Sequence, residues 1–149
     1  MNSQTFEQSI WIDASVPVVD HTITDQTLMH QWLNPALKCE PIGSWSNDVG
    51  AESTFIIKVP FINPSLHSTV IERRIGLVIW EFTGFFNGRD RWECQAQDNG
   101  TLLTNRFTFM APSALVRFGF NLFAASLTKR DMENQLKRLK QVAESVKDR

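Results

Sequence analysis

The sequence predicts an α+β fold in which a curved, seven-stranded antiparallel sheet and two short helices wrap around one long C-terminal helix. Three observations carry that expectation. Turn residues cut residues 39–110 into six short runs, one further strand-like run precedes them, and only the last part of the chain has the apolar spacing of a long helix. A twisted antiparallel sheet must cover its apolar face, so the strands are expected to curl around that helix.

The elements follow in order. "FEQSIWIDA" reads as the first strand. Ser15 can cap a short helix with Pro17 in its first positions, and Thr24 can cap "DQTLMHQWL", where Leu28, Trp32 and Leu33 share a face before Pro35 ends it. The strands after them are expected at Cys39–Trp45, Ala51–Val59, Leu66–Arg74, Leu77–Gly84, Arg89–Ala96 and Thr101–Met110. "SNDVG", "PFINPS" and Gly76 separate the earlier ones. Asn87-Gly88 and Asn99-Gly100 are expected as hairpin turns, because a type I′ turn needs positive φ at both central residues. Connections this short allow only antiparallel neighbours after the second strand.

Side-chain alternation then selects the inner face of each strand. Leu103, Asn105, Phe107 and Phe109 point inward on the last strand, and Trp92, Cys94 and Ala96 on the one before it. Val78, Trp80 and Phe82 form the next inner set, and Phe55, Ile57 and Val59 that of the third strand. Glu81, Arg91, Glu93 and Arg106 fall on the outer face, where they can pair across strands. An inner surface this aromatic leaves irregular gaps, either filled by further side chains or open to an apolar guest.

The final helix is expected from about Pro112 to Val146. Leu115, Phe118, Leu122, Ala125, Met132, Leu136, Leu139 and Ala143 form the stripe that faces the sheet. A second stripe, Val116, Phe120, Phe123 and Leu127, occupies the opposite side of the first half only; in the second half that side becomes Arg130, Asn134, Lys137 and Gln141. An apolar face needs a cover, which can be loops, the short helices, a second subunit or a lipid surface. Lys129 falls within the sheet-facing stripe, so it needs a carboxylate or a wet cavity unless it snorkels or the helix shifts register near Gly119.

Composition narrows the function. The 149 residues carry a formal net charge of -1, which draws the chain neither to nucleic acid nor to an anionic membrane. "SALVRFGFNLFAASL" is fifteen residues long and contains Arg117, short of the ~20 apolar residues that span a bilayer, so no stable membrane insertion is expected. "MNSQTFEQ" lacks the pattern of a secretory signal, which points to the cytoplasm. Cys39 and Cys94 imply neither a disulfide framework nor a metal knuckle, and residues 1–149 read as one domain.

An acid–base catalyst needs an ionisable group within reach of the ligand, and the candidates are His67, Glu72 and Lys129. His67 and Glu72 are an odd number of residues apart, so in a regular strand they cannot both face inward. His21, His30 and His67 lack metal-ligand spacing, and neither a nucleophile elbow nor a phosphate-binding glycine motif occurs. No metal or cofactor is expected.

Three phrases carry a family resemblance: "FEQSIWIDASVPVVDHTITDQTLMHQW" through Asp25 and Trp32, "VIERRIGLVIWEFTG" through Val70, Glu72 and Trp80, and "DNGTLLTNRFTF" before the final helix. With the order of elements, they make the chain resemble the START and polyketide-cyclase superfamily, SRPBCC, whose helix-grip fold wraps seven strands around a C-terminal helix. The resemblance implies a deep cavity for lipids, polyketides or other hydrophobic small molecules, in proteins that serve as carriers, sensors, cyclases or adaptors; it brings no single catalytic motif. The expected ligand-binding residues are Phe55, Ile57, Trp80, Phe82, Trp92, Asn105, Phe107, Phe109, Phe118 and Leu122, with Trp32, Arg117 and Asn121 at the mouth. The expected function is binding of a hydrophobic small molecule, of lipid, polyketide or isoprenoid type, as carrier or sensor. The alternatives are a cyclase or dehydratase enzyme, and an adaptor or homodimer using Val116, Phe120, Phe123 and Leu127.

Overall fold

The computed structural model describes residues 2–58, 64–84, 86–111 and 129–148. Its strands are β1 (Asn2–Ile12), β2 (Leu37–Pro41), β3 (Glu52–Ile57), β4 (Ser65–Arg74), β5 (Leu77–Gly84), β6 (Asn87–Gln97) and β7 (Gly100–Ala111). Two short helices, α1 (Val16–Thr24) and α2 (Gln26–Trp32), lie between β1 and β2, and α3 (Lys129–Lys147) is the C-terminal helix; the start expected near Pro112 lies outside the described residues. The seven strands form one antiparallel sheet in the order β1-β7-β6-β5-β4-β3-β2. It is a meander with the first strand added beside the last, curled around the helical layer as expected.

Alternation worked where both faces have clear partners. Val78, Trp80 and Phe82 are buried, as are Trp92, Cys94, Leu103, Asn105, Phe107 and Phe109, with Phe55 and Ile57 on β3. On the outer face Arg89 pairs with Glu81 at 3.0 Å, Arg91 with Glu93 at 2.9 Å and Arg106 with Glu7 at 2.6 Å. Ala96 departs from the pattern and is exposed. It lies opposite Thr101, next to the hairpin tip. Val59 lies outside the described residues.

Both Asn-Gly turns are corrected. Asp98 (φ 51) and Asn99 (φ 62) make the β6–β7 turn, while Gly100 already pairs with Gln97. Asp and Asn tolerate the left-handed region because their short side chains bond locally. Glycine is needed at 100 for space, since a Cβ there would lie 2.5 Å from the Ile12 carbonyl oxygen and 2.6 Å from the Trp11 ring. Gly88 likewise belongs to the ladder, opposite Phe109, and a Cβ on it would meet the Thr108 carbonyl at 2.7 Å.

Local chemistry moves other boundaries. Asp25, not Thr24, caps α2, its carboxylate accepting from the Leu28 N–H at 3.0 Å. Thr24 belongs to α1 and its hydroxyl donates back to the Asp20 carbonyl. Ser15 occupies the cap position of α1 without a side-chain capping bond, and Pro17 sits in the first turn. The strand expected at Cys39–Trp45 ends at Pro41, which lacks an N–H and lies on the outermost strand. Trp45 instead folds back to donate from Nε1 to the Thr24 carbonyl at 3.0 Å.

Among the described residues of α3, Met132, Leu136, Leu139 and Ala143 are buried as the stripe predicted. Lys129 is exposed at the start of this segment, so it needs no buried carboxylate; its carbonyl accepts from Gln8 Nε2 at 3.1 Å. Leu115, Val116, Arg117, Phe118, Phe120, Asn121, Leu122, Phe123, Ala125 and Leu127 lie outside the described residues. The helix packs on β1, α1 and α2. Arg138 Nε donates to the Trp32 carbonyl at 3.1 Å, and Gln135 Oε1 accepts from the Asn34 N–H at 2.8 Å, which tie it to the end of α2.

A buried ion pair joins α1 to the β4–β5 turn. Asp20 accepts from both terminal nitrogens of Arg73, at 2.6 and 2.8 Å, and from the Gly76 N–H at 2.9 Å. Removing one partner strands the other in a poorly solvated place. Asp20→Ala is therefore expected to lower stability by about 3 kcal/mol in urea unfolding. Gly100→Ala, which drives a methyl into backbone, should cost about 1–3 kcal/mol by the same measurement.

Candidate functional site

Aromatic rings on and around the inner face meet edge-on, as Phe55–Phe82 and Phe86–Phe107 do, or tilted, as Trp32–Trp92 do. Phe55 and Phe82 lie 5.3 Å apart, Phe86 and Phe107 6.1 Å, and Trp32 and Trp92 5.2 Å between centroids. They leave a cavity of about 70 Å³. From the sheet it is walled by Phe55, Ile57, Leu66, Trp80, Phe82, Trp92 and Phe107, with Phe86 from the β5–β6 connection. Met29, Trp32 and Leu33 close it from the α2 side and Met132 from α3. Its polar lining is Asp90, Asn105, Asn34, Asp131 and Gln135.

The cavity brings together Phe55, Ile57, Trp80, Phe82, Trp92, Asn105 and Phe107 from the residues expected at the ligand site. Phe109 is buried against Phe86 and Phe107 but does not line the space. Trp32, expected at the mouth, is a buried wall whose Nε1 donates to the Thr22 carbonyl at 2.8 Å. Phe118, Leu122, Arg117 and Asn121 lie outside the described residues.

The three acid–base candidates are elsewhere. His67 stands on the outer face against Glu52, with Nε2 2.9 Å from the carboxylate. Glu72 is exposed, beyond a bulge that shifts the register between Val70 and Glu72. The bulge adds a residue to the strand and resets its alternation, so an argument from regular parity does not hold across it. Lys129 points to solvent.

Asp90 is a cavity-lining carboxylate absent from the residues expected at the site. The inner face of β6 runs Asp90, Trp92, Cys94, so counting back two residues from Trp92 reaches it. Asn105 Nδ2 donates to its Oδ1 at 2.7 Å and Trp92 Nε1 donates to its Oδ2 at 2.9 Å. Asn105 Nδ2 is itself held by the Arg91 carbonyl at 3.2 Å. Among the described residues no cationic side chain pairs with Asp90. Burial pushes its carboxyl up to about 6, against the two hydrogen bonds that favour the ionised form. Although Asp90 is only partly buried by exposed area, it lines the cavity, so that area faces apolar walls more than bulk water.

The other buried candidates are inert. Cys39 and Cys94 are free thiols, pushed by burial to about 11 and about 12, so they stay protonated and poorly nucleophilic at neutral pH. No group of metal-ligating side chains occurs among the described residues.

A sheet gripping a C-terminal helix over an apolar cavity defines the helix-grip, or SRPBCC, class. Residues 3–144 match the family described as polyketide cyclase / dehydrase and lipid transport, and the chain belongs to that family. Protein TTHA0849 of Thermus thermophilus superposes with a TM-score of 0.74 at 11% identity, over 96% of this chain and 99% of that one. KanY gives 0.73 at 16% identity, over 97% and 99%. Ara h 8.0201 gives 0.66 at 11% identity, again over 97% and 99%. Identities this low establish a common fold. No curated protein sequence matches the chain.

The raised Asp90 carboxyl makes stability depend on pH. Its folded pKa lies above the unfolded value, so folding retains a proton that the unfolded chain releases between about pH 4 and pH 6. This contribution lowers wild-type stability as pH rises through that window, by about 2–3 kcal/mol. Asp90→Asn lacks it. Urea unfolding should show the variant-minus-wild-type stability difference growing by about that amount from pH 4 to pH 7; a flat difference contradicts a desolvated carboxyl.

Proposed function

We propose that this protein binds a hydrophobic small molecule, of the lipid, polyketide or isoprenoid class, in the cavity between the sheet, α2 and α3, as a carrier or sensor in the cytoplasm. The carrying observation is the apolar space bounded by aromatic walls with a small polar set. The family's description, which includes lipid transport, supports the same reading. No described helix is long and apolar enough to cross a membrane.

The cavity of about 70 Å³ is small beside the ~300–1,000 Å³ of sites for drug-sized ligands. A larger guest enters by displacing side chains, and Met29 and Met132 on the helical side supply adaptable walls. A guest burying about 300 Å² of apolar surface gains about 7 kcal/mol before the costs of association, which corresponds to binding in the micromolar to millimolar range.

The second reading, a cyclase- or dehydratase-type enzyme, is favoured by Asp90, a cavity carboxyl moved toward neutrality. An adaptor or homodimer role would use Val116, Phe120, Phe123 and Leu127, outside the described residues.

N-phenyl-1-naphthylamine, which brightens in apolar surroundings, tests the main reading. Fluorescence should rise on titration into the protein, and Leu66→Trp, which fills the cavity, should weaken binding at least about tenfold while the cooperative melt persists. Equal binding by a folded Leu66→Trp variant would show that the probe sits elsewhere. Absence of binding to the wild type would remove the carrier proposal.

A further inference from the structure

We propose that the cavity selects ligands whose buried end carries a hydrogen-bond donor, above all a protonated amine, and rejects carboxylate ends, with Asp90 as the recognising group and Asn105 and Trp92 as its positioning residues. This inference rests on the cavity being a ligand site and specifies the chemistry it takes.

Asp90 stands in the middle of the sheet, opposite Trp80 on one side and Phe107 on the other. Its two oxygens each accept one hydrogen bond from a neutral donor of the sheet. An ionised carboxylate offers about four acceptor sites, so acceptor capacity remains. A buried carboxylate without a counter-charge is costly, and an ammonium recovers that cost through both charge and hydrogen bonding in a low-dielectric site. A hydroxyl recovers the hydrogen bond alone.

The rest of the lining agrees. Among the described residues the cavity is lined by two carboxylates, Asp90 and Asp131, and by no Lys, Arg or His. Met29 and Trp32 of α2 and Leu33 just after it are uncharged, and among the described residues Asp131 is the charged lining group from α3. An anionic head placed against Asp90 would meet like charge at its two oxygens, which is discrimination by repulsion as well as attraction. The contrast with Asp20 is direct, since Asp20 has Arg73 as its counter-charge. The raised proton affinity of Asp90 supports the same picture: burial outweighs its two hydrogen bonds, and among the described residues no cation compensates its charge.

Four probes sharing one ring provide the test: benzylamine, benzyl alcohol, toluene and benzoate. Calorimetric or NMR titration of the wild type should rank benzylamine first and benzoate last. Asp90→Asn should weaken benzylamine at least about tenfold and leave toluene within about twofold. An unchanged benzylamine-to-benzoate ratio in the variant, or benzoate matching benzylamine in the wild type, overturns the inference while toluene binding leaves the cavity reading intact. Loss of toluene and N-phenyl-1-naphthylamine binding to the wild type removes both.

A second measurement needs no variant. The Trp92 indole N–H donates directly to Asp90, so its NMR signal reports the carboxyl's ionisation, with an expected midpoint near about 6 without ligand. Benzylamine should lower that midpoint and toluene should not. An unmoved midpoint at saturating benzylamine overturns the proposal.

Discussion

One face of this sheet is aromatic and has to leave water, and the architecture follows from that constraint. Strand periodicity gathers Trp80, Phe82, Trp92, Phe107 and Phe109 on a single side. A flat sheet would leave them wet, so the strands curl and the helices supply the missing wall. The β1–β7 ladder, from Asn2↔Ala111 to Ile12↔Thr101, carries the first strand back across the last and sets β1 beside α3. A Cβ at Gly100 would collide with Ile12 and Trp11 of β1, and one at Gly88 with Thr108 of β7, so both positions need glycine for space. Without the curl there is no enclosed space for a site.

The same enclosure treats two carboxylates in opposite ways. Asp20 is held by a two-pronged contact with Arg73 and by the Gly76 N–H, so its charge is compensated and its task is to hold α1 to the β4–β5 turn. Among the described residues Asp90 has only neutral donors, and it faces the cavity. A carboxylate used for architecture is usually given its counter-charge within the fold. One left open toward apolar space, as Asp90 is, has the chemistry of a recognition group.

What could be read from sequence was periodic, and what could not was local. The strand count, the inner faces of β5 and β7 and the stripe Met132, Leu136, Leu139, Ala143 follow from repeats that packing reinforces. The hairpin turns slipped because glycine has two uses, positive φ and close approach, and sequence alone does not separate them at Gly88 or Gly100. Asp25 replaced Thr24 as a cap because both can accept from the helix N-terminus and the chain places the break one residue later. His67 and Glu72 were judged by strand parity, which the bulge after Val70 interrupts. Asp90 lies inside the strand expected at Arg89–Ala96 and shares the parity of Trp92, but an inner face chosen by apolar residues starts at Trp92 and passes over a carboxylate.

Size and polarity divide the work of recognition unequally. Edge-to-face rings leave gaps that change shape when a ring rotates, and the thioethers of Met29 and Met132 yield more readily than branched side chains. Walls of this kind reward apolar area without fixing the outline of the guest. The carboxyl of Asp90 is fixed from two directions and cannot follow a misplaced head group. In the proposed ligand site affinity therefore comes from the rings, and the proposed choice among ligands of similar apolar area comes from whether the buried end can donate a hydrogen bond to Asp90.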